Sequence, residues 1–124
     1  MKLRIRGNSV RLRLSQSETI QFAETGTVVD SIEFPPGGPL EYGIHVSDVP
    51  APVASYDRSG IKVTLPSDTA RTWLEPQEVT ISDEQPLSGG RVLTILIEKD
   101  YACLTPREGE EDSDAFPNPQ ATSE

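Results

Sequence analysis

Lys2-Leu3-Arg4-Ile5-Arg6-Gly7-Asn8-Ser9-Val10-Arg11-Leu12-Arg13-Leu14 is the stretch on which the reading of this chain turns. Cations alternate with aliphatic residues on both sides of Gly7-Asn8, a period of two that belongs to strands. Gly7-Asn8 is a two-residue hairpin connection, because glycine supplies the positive φ that a primed turn requires. The register follows from the turn: Arg6 faces Ser9, Ile5 faces Val10, Arg4 faces Arg11, Leu3 faces Leu12 and Lys2 faces Arg13. Lys2, Arg4, Arg6, Arg11 and Arg13 then share one face of the hairpin, and the aliphatic residues share the other.

That basic face belongs to an acidic molecule. The 124 residues carry a formal charge of −9. Residues 1–13 hold +5, residues 14–105 hold −9 and residues 106–124 hold −5. An acidic total disfavours non-specific contact with nucleic acid or anionic membranes, and leaves a local anion site open. Like charges directly across a strand pair cost a few tenths to ~1 kcal/mol each, so the face calls for anions. Three arrangements answer it. Carboxylates of the chain (Glu33, Glu41, Glu98 or the acids at 108–114) can lie over it. A ligand or partner can bring phosphate or carboxylate. Or the face can simply stand in water. Four of its five cations are arginines, which suits bidentate contact with oxyanions.

Outward from the hairpin, Ser15-Gln16-Ser17-Glu18 is a capping box that starts a helix over 16–24, with Thr25-Gly26 as its stop. Val28, Asp30, Ile32 and Phe34 share one strand face, and Leu40, Tyr42, Ile44 and Val46 another. Pro35-Pro36-Gly37-Gly38-Pro39 separates the two as a turn. Residues 53–57 and 60–65 form a second hairpin about Arg58-Ser59. Ser67-Asp68 caps a single helical turn carrying Trp73 and Leu74. Val79 and Ile81 mark a short strand. Val92-Leu93-Thr94-Ile95-Leu96-Ile97 is apolar on both faces, as a central strand with a layer on each side would be, and 100–104 extends it. No internal repeat is visible. Residues 1–105 therefore read as one domain, followed by an acidic, proline-containing tail at 106–124 that stays unfolded by itself. In that tail Phe116-Pro117-Asn118-Pro119 either docks in a groove or stays unanchored. The class is α+β: mainly antiparallel sheet, or a partly closed barrel, with one short helix.

Elsewhere the chemistry is thin. His45 is the only histidine; without a companion cysteine or a nucleophilic elbow it reads as a surface or hydrogen-bonded residue. Cys103 is the only cysteine, which fits a reducing cytosol and removes every cysteine-based zinc pattern. As a thiol it reads as a small buried hydrophobe. Trp73 reads as a core or sheet-end plug rather than a stacking platform. The acids at 108–114 lack the spacing and glycine of a calcium loop. Met1-Lys2 leads into alternating arginines rather than an apolar run, so no signal peptide is read, and no stretch nears the ~20 apolar residues of a membrane span.

The opening Lys2 to Ser15, the segment Glu98-Lys99-Asp100-Tyr101-Ala102-Cys103-Leu104 and the tail ending Phe116-Pro117-Asn118-Pro119 together resemble a small uncharacterised bacterial family of about this length. That resemblance implies no activity. Gly7-Asn8-Ser9 followed by Arg13 resembles the start of the swapped-hairpin antitoxins and transition-state regulators. These are dimeric DNA-binding proteins whose interleaved hairpins hold DNA with basic residues. That family usually has an aromatic where this chain has Arg6, and Ile-Pro where it has Leu14-Ser15. The expectation is a non-catalytic cytosolic binding module acting through Lys2, Arg4, Arg6, Arg11 and Arg13, with no metal, cofactor or catalytic residue. Its partner would be an anionic ligand or a protein, a second copy of this chain included, and not a membrane. The alternative is a DNA-binding regulator using the same hairpin.

Overall fold

The computed structural model describes residues 1–100 and Phe116. The elements run β1 (Lys2–Arg6), β2 (Ser9–Leu14), α1 (Gln16–Thr25), β3 (Thr27–Phe34), β4 (Gly38–Ser47), β5 (Val53–Tyr56), β6 (Gly60–Pro66), α2 (Ser67–Trp73), β7 (Thr80–Pro86), a 3-10 turn (Ser88–Gly90) and β8 (Val92–Lys99). The first hairpin has the expected register at every pair, from Lys2 opposite Arg13 to Arg6 opposite Ser9. Gly7 turns it with φ +56°, and among the described residues none other than glycine has positive φ, so Asn8 does not, which is the sign pattern of a type II′ turn. The capping box also forms: Ser15 Oγ accepts from the Glu18 N–H at 3.3 Å, and Glu18 Oε1 accepts from the Ser15 N–H at 2.9 Å. Gly26, at φ +76°, ends α1 by donating to the Phe22 carbonyl.

Two four-stranded sheets result, in the orders β1-β2-β8-β7 and β3-β4-β6-β5. The outer pairings are antiparallel hairpins, but the central one in each sheet, β2 with β8 and β4 with β6, is parallel. The sheets are thus mixed: the pairing is mainly antiparallel, as expected, with one parallel pair at the centre of each sheet. A parallel neighbour requires a distant segment of chain, and no local pattern announces it. Among the described residues no ladder closes the sheets into a barrel. Between β7 and β5 the gap is bridged by one side chain: Gln85 Oε1 accepts from the Ala54 N–H at 2.7 Å. Among the described residues there are two α-helices, not one. The turn expected at Ser67-Asp68 is a seven-residue helix whose N-cap is Pro66, with no side-chain hydrogen bond.

A second departure concerns repeats. Each half of the chain runs hairpin, helix, hairpin, and each gives one hairpin to each sheet. One shift in numbering superposes β1, β2 and α1 on β5, β6 and α2: Leu3 opposite Leu12 becomes Ala54 opposite Val63, and Arg4 opposite Arg11 becomes Ser55 opposite Lys62. A slightly longer shift carries Val28 opposite Ile44 onto Ile81 opposite Ile97. The parallel pairs obey both shifts together, since Ser9 opposite Thr94 maps onto Gly60 opposite Glu41. The fold is therefore an internal duplication about a pseudo-two-fold axis, with its hairpins exchanged between halves. What the halves share is apolar character at matching sites (Leu12 and Val63, Phe22 and Trp73, Val28 and Ile81), with few identities, which is why the repeat escapes inspection of the sequence.

The core is built from these matched residues. Leu12, Leu14, Ile44, Val63, Leu65, Ile95 and Ile97 are completely buried. Phe22 and Trp73, which are pseudo-equivalent, meet edge to face with centroids 6.3 Å apart, a geometry adding about 0.5–1.5 kcal/mol to their burial. Trp73 is the core plug expected; its indole N–H donates to the Val79 carbonyl at 3.0 Å.

Candidate anion-binding face

β1 and β2 are amphipathic with period two, so packing Leu3, Val10, Leu12 and Leu14 inward puts Lys2, Arg4, Arg6, Arg11 and Arg13 on the outer face of the first sheet. The structure brings all five together. β8 lies beside β2 and contributes Thr94, Leu96 and Glu98 to the same face. The layer expected over that side of β8 is absent among the described residues. Instead Leu96, half-buried, lines a cup with Arg4, Arg6, Ser9 and Arg11; long cationic side chains can shield apolar surface with their stems while the charge stays in water.

Neutralisation is partial. The Glu98 carboxylate stands between Arg11 Nε at 3.3 Å and Arg13 Nε at 3.4 Å. Arg11 Nε and Glu98 Oε1 are both sealed from solvent yet out of line for a hydrogen bond, so this contact is an ion pair only. Lys2 Nζ lies 3.0 Å from Asp100 Oδ2. Glu98 was one of the carboxylates named from sequence; Asp100 was missed, although it follows β8 directly and opposes the open end of the hairpin. Among the described residues no carboxylate comes within 4.0 Å of Arg4 or Arg6. The cup they form with Ser9, Arg11 and Leu96 measures about 80 Å³. That gives room for one carboxylate or phosphate group among the guanidinium forks. The acids at 108–114, expected as a screen over this face, lie outside the described residues, as does Cys103.

The pseudo-two-fold supplies an internal control. It maps Arg4 onto Ser55, Arg6 onto Asp57, Arg13 onto Thr64 and Lys2 onto Val53; only Arg11 meets another cation, Lys62. Glu98 maps onto His45, on the outer face of the second sheet. There the His45 Nδ1 and the Thr27 hydroxyl share a hydrogen bond of 2.8 Å. Partial burial, with Lys62 nearby, lowers the His45 pKa from its ordinary value. The basic face is a property of one half of the duplication alone.

Phe116, for which the sequence leaves both docking and an unanchored tail open, meets the folded domain. Its N–H donates to the Asp100 carbonyl at 2.7 Å, and its ring centroid is 5.6 Å from Lys99 Nζ. Lys99 is buried: its ammonium donates to the Glu75 carbonyl at 2.7 Å and lies 5.7 Å from the Trp73 ring centroid. Burial lowers its pKa. No group of three His, Cys, Asp or Glu residues converges on a metal position among the described residues. No helix there is long and apolar enough to cross a membrane.

A model of one family, described as a family of unknown function (DUF7009), matches residues 1–120. No curated protein and no solved structure matches the chain.

Proposed function

We infer the role of this chain, which belongs to that family of unknown function, from its own surface: it is a non-catalytic binding module that holds an oxyanionic group of its partner on the outer face of the first hairpin. The observation that carries this is the incomplete pairing of the face. Glu98 and Asp100 take Lys2, Arg11 and Arg13, and leave Arg4 and Arg6 side by side at a cup sized for one oxyanion. Guanidinium forks are suited to such a group. The single cysteine, Cys103, supports a cytosolic setting.

A second reading, DNA binding, is favoured by one specific feature: hairpins exchanged between two halves are what the swapped-hairpin resemblance implies. Charge opposes it. A two-fold DNA binder presents cations from both hairpins, and here the second hairpin offers Ser55, Asp57 and Thr64 where the first has Arg4, Arg6 and Arg13. Titrating a heparin oligosaccharide against the wild type and against Arg4→Gln/Arg6→Gln tests the first reading. The variant should bind at least 10-fold more weakly and be no less stable, because a like-charged cluster has been relieved. Equal heparin affinity in the two proteins sinks the proposal. A gel shift of duplex DNA at two salt concentrations tests the second, for which affinity must fall steeply with salt.

A further inference from the structure

Edge strands in this fold are treated unequally. In a two-residue hairpin the closing pair exchanges backbone hydrogen bonds, and every second pair does the same. In the first hairpin these pairs are Arg6–Ser9, Arg4–Arg11 and Lys2–Arg13. The N–H and C=O groups of Leu3 and Ile5 therefore point away from β2, at the free edge of β1. Their pseudo-equivalents on β5 are Ala54 and Tyr56. There the exposed N–H is capped, because Gln85 reaches from β7 to Ala54. The pseudo-two-fold carries Gln85 onto Ile32, which has no acceptor to offer. Among the described residues nothing pairs with the outer edge of β1.

One apolar side chain on that edge is also uncommitted. Ile5, on that edge, is 63% exposed. Arg4 and Arg6 alternate with Leu3 and Ile5 and point to the opposite face. An exposed edge is a template for another strand, and its flanking charges select which. A second copy pairing β1 with β1 would set arginines against arginines, which is destabilising. An acidic strand would instead place its carboxylates beside Arg4 and Arg6.

We propose that the free edge of β1 receives an extended segment of a partner protein in which acidic and apolar residues alternate, adding a fifth strand to the first sheet. Its backbone pairs with Leu3 and Ile5, its apolar side chains cover Ile5, and its carboxylates occupy the cup at Arg4 and Arg6. This rests on the oxyanion reading above and names its ligand.

The test uses the full chain and an eight-residue peptide alternating aspartate with valine. The controls are a peptide of the same composition with the residues in two blocks, and the alternating peptide N-methylated on the amides that would face β1. Hydrogen exchange at the Leu3 and Ile5 amides should slow at least 10-fold with the alternating peptide and not with either control. Ile5→Pro, which removes an outward N–H without touching the β2 ladder, should weaken peptide binding at least 10-fold and leave heparin affinity unchanged. Equal binding of the N-methylated and parent peptides overturns strand addition. If that happens while Arg4→Gln/Arg6→Gln still lowers heparin affinity, the oxyanion face survives alone. Protection of Leu3 and Ile5 that grows with protein concentration, in the absence of peptide, assigns the edge to a second copy and overturns the proposal.

Discussion

Ser9 and Gly60 occupy matching places, each following a tight turn and entering a strand that pairs in parallel with the opposite half. Their backbones differ. Gly60 has φ +141°, and a Cβ built on it would stand 1.8 Å from the Glu41 carbonyl oxygen. That oxygen belongs to the backbone of the neighbouring strand, so it cannot swing aside as a side-chain tip would. The neighbouring Ser59 carbonyl is meanwhile held by the Glu41 N–H at 3.0 Å. Gly60→Ala must therefore strain the backbone or part β4 from β6. The expected loss is about 3 kcal/mol, in the range of residues forced into unfavourable backbone regions or steric overlap. Urea unfolding of the variant against the wild type measures it, and a loss below 1 kcal/mol would mean that β4 yields easily. Nothing in the sequence near Arg58-Ser59-Gly60 separates this glycine from an ordinary turn residue. Its constraint comes from Glu41, which is distant along the chain.

At the scale of elements, the two helices contrast in how they begin. α1 has the reciprocal bonds of Ser15 and Glu18, whereas α2 starts at Pro66 with no side-chain cap and stops after seven residues. Ser15→Ala removes the acceptor for the Glu18 N–H and should cost about 1 kcal/mol, read as a lower midpoint in denaturant with an unchanged slope. The capping box was legible in the sequence because both partners lie within four residues. The first hairpin was legible for the same reason: its turn fixes the register, and the register fixes the face that gathers Lys2, Arg4, Arg6, Arg11 and Arg13. β7 was mostly illegible. Ser82, Asp83, Glu84 and Gln85 have little strand preference of their own, and they are extended because each pairs with β8. Of the site, the cluster and the involvement of Glu98 could be read from spacing. The lack of a carboxylate at Arg4 and Arg6 among the described residues depends on where β8 places Glu98 and Asp100, and that follows from a parallel pairing across most of the chain.

For the molecule as a whole, the exchange of hairpins makes each half incomplete. The first half holds β1, β2, β3 and β4, but these four strands never form one sheet; β2 needs β8 and β4 needs β6. The core crosses the same divide, with Leu12 and Leu14 buried together with Ile95 and Ile97, and Phe22 against Trp73. The divide itself falls at Pro50-Ala51, in a connection that is exposed and belongs to no strand. Cutting the chain there breaks one peptide bond and leaves every ladder intact. Fragments 1–50 and 51–124 should each lack a cooperative thermal transition, since two-stranded hairpins are marginal when isolated and their apolar faces have no cover. Mixed in equal amounts, they should recover the β-sheet circular dichroism of the intact chain and a single transition whose midpoint rises with concentration. A monomeric fragment that melts cooperatively alone would contradict the duplicated, exchanged architecture. So would a mixture whose spectrum is only the sum of its parts. If fragment 1–50 associates with itself, the pseudo-two-fold has been replaced by a true one, and the heparin test can be repeated on an assembly with the basic hairpin present twice. Its affinity should then exceed that of the intact chain, because the second copy of the face replaces Ser55, Asp57 and Thr64 with arginines.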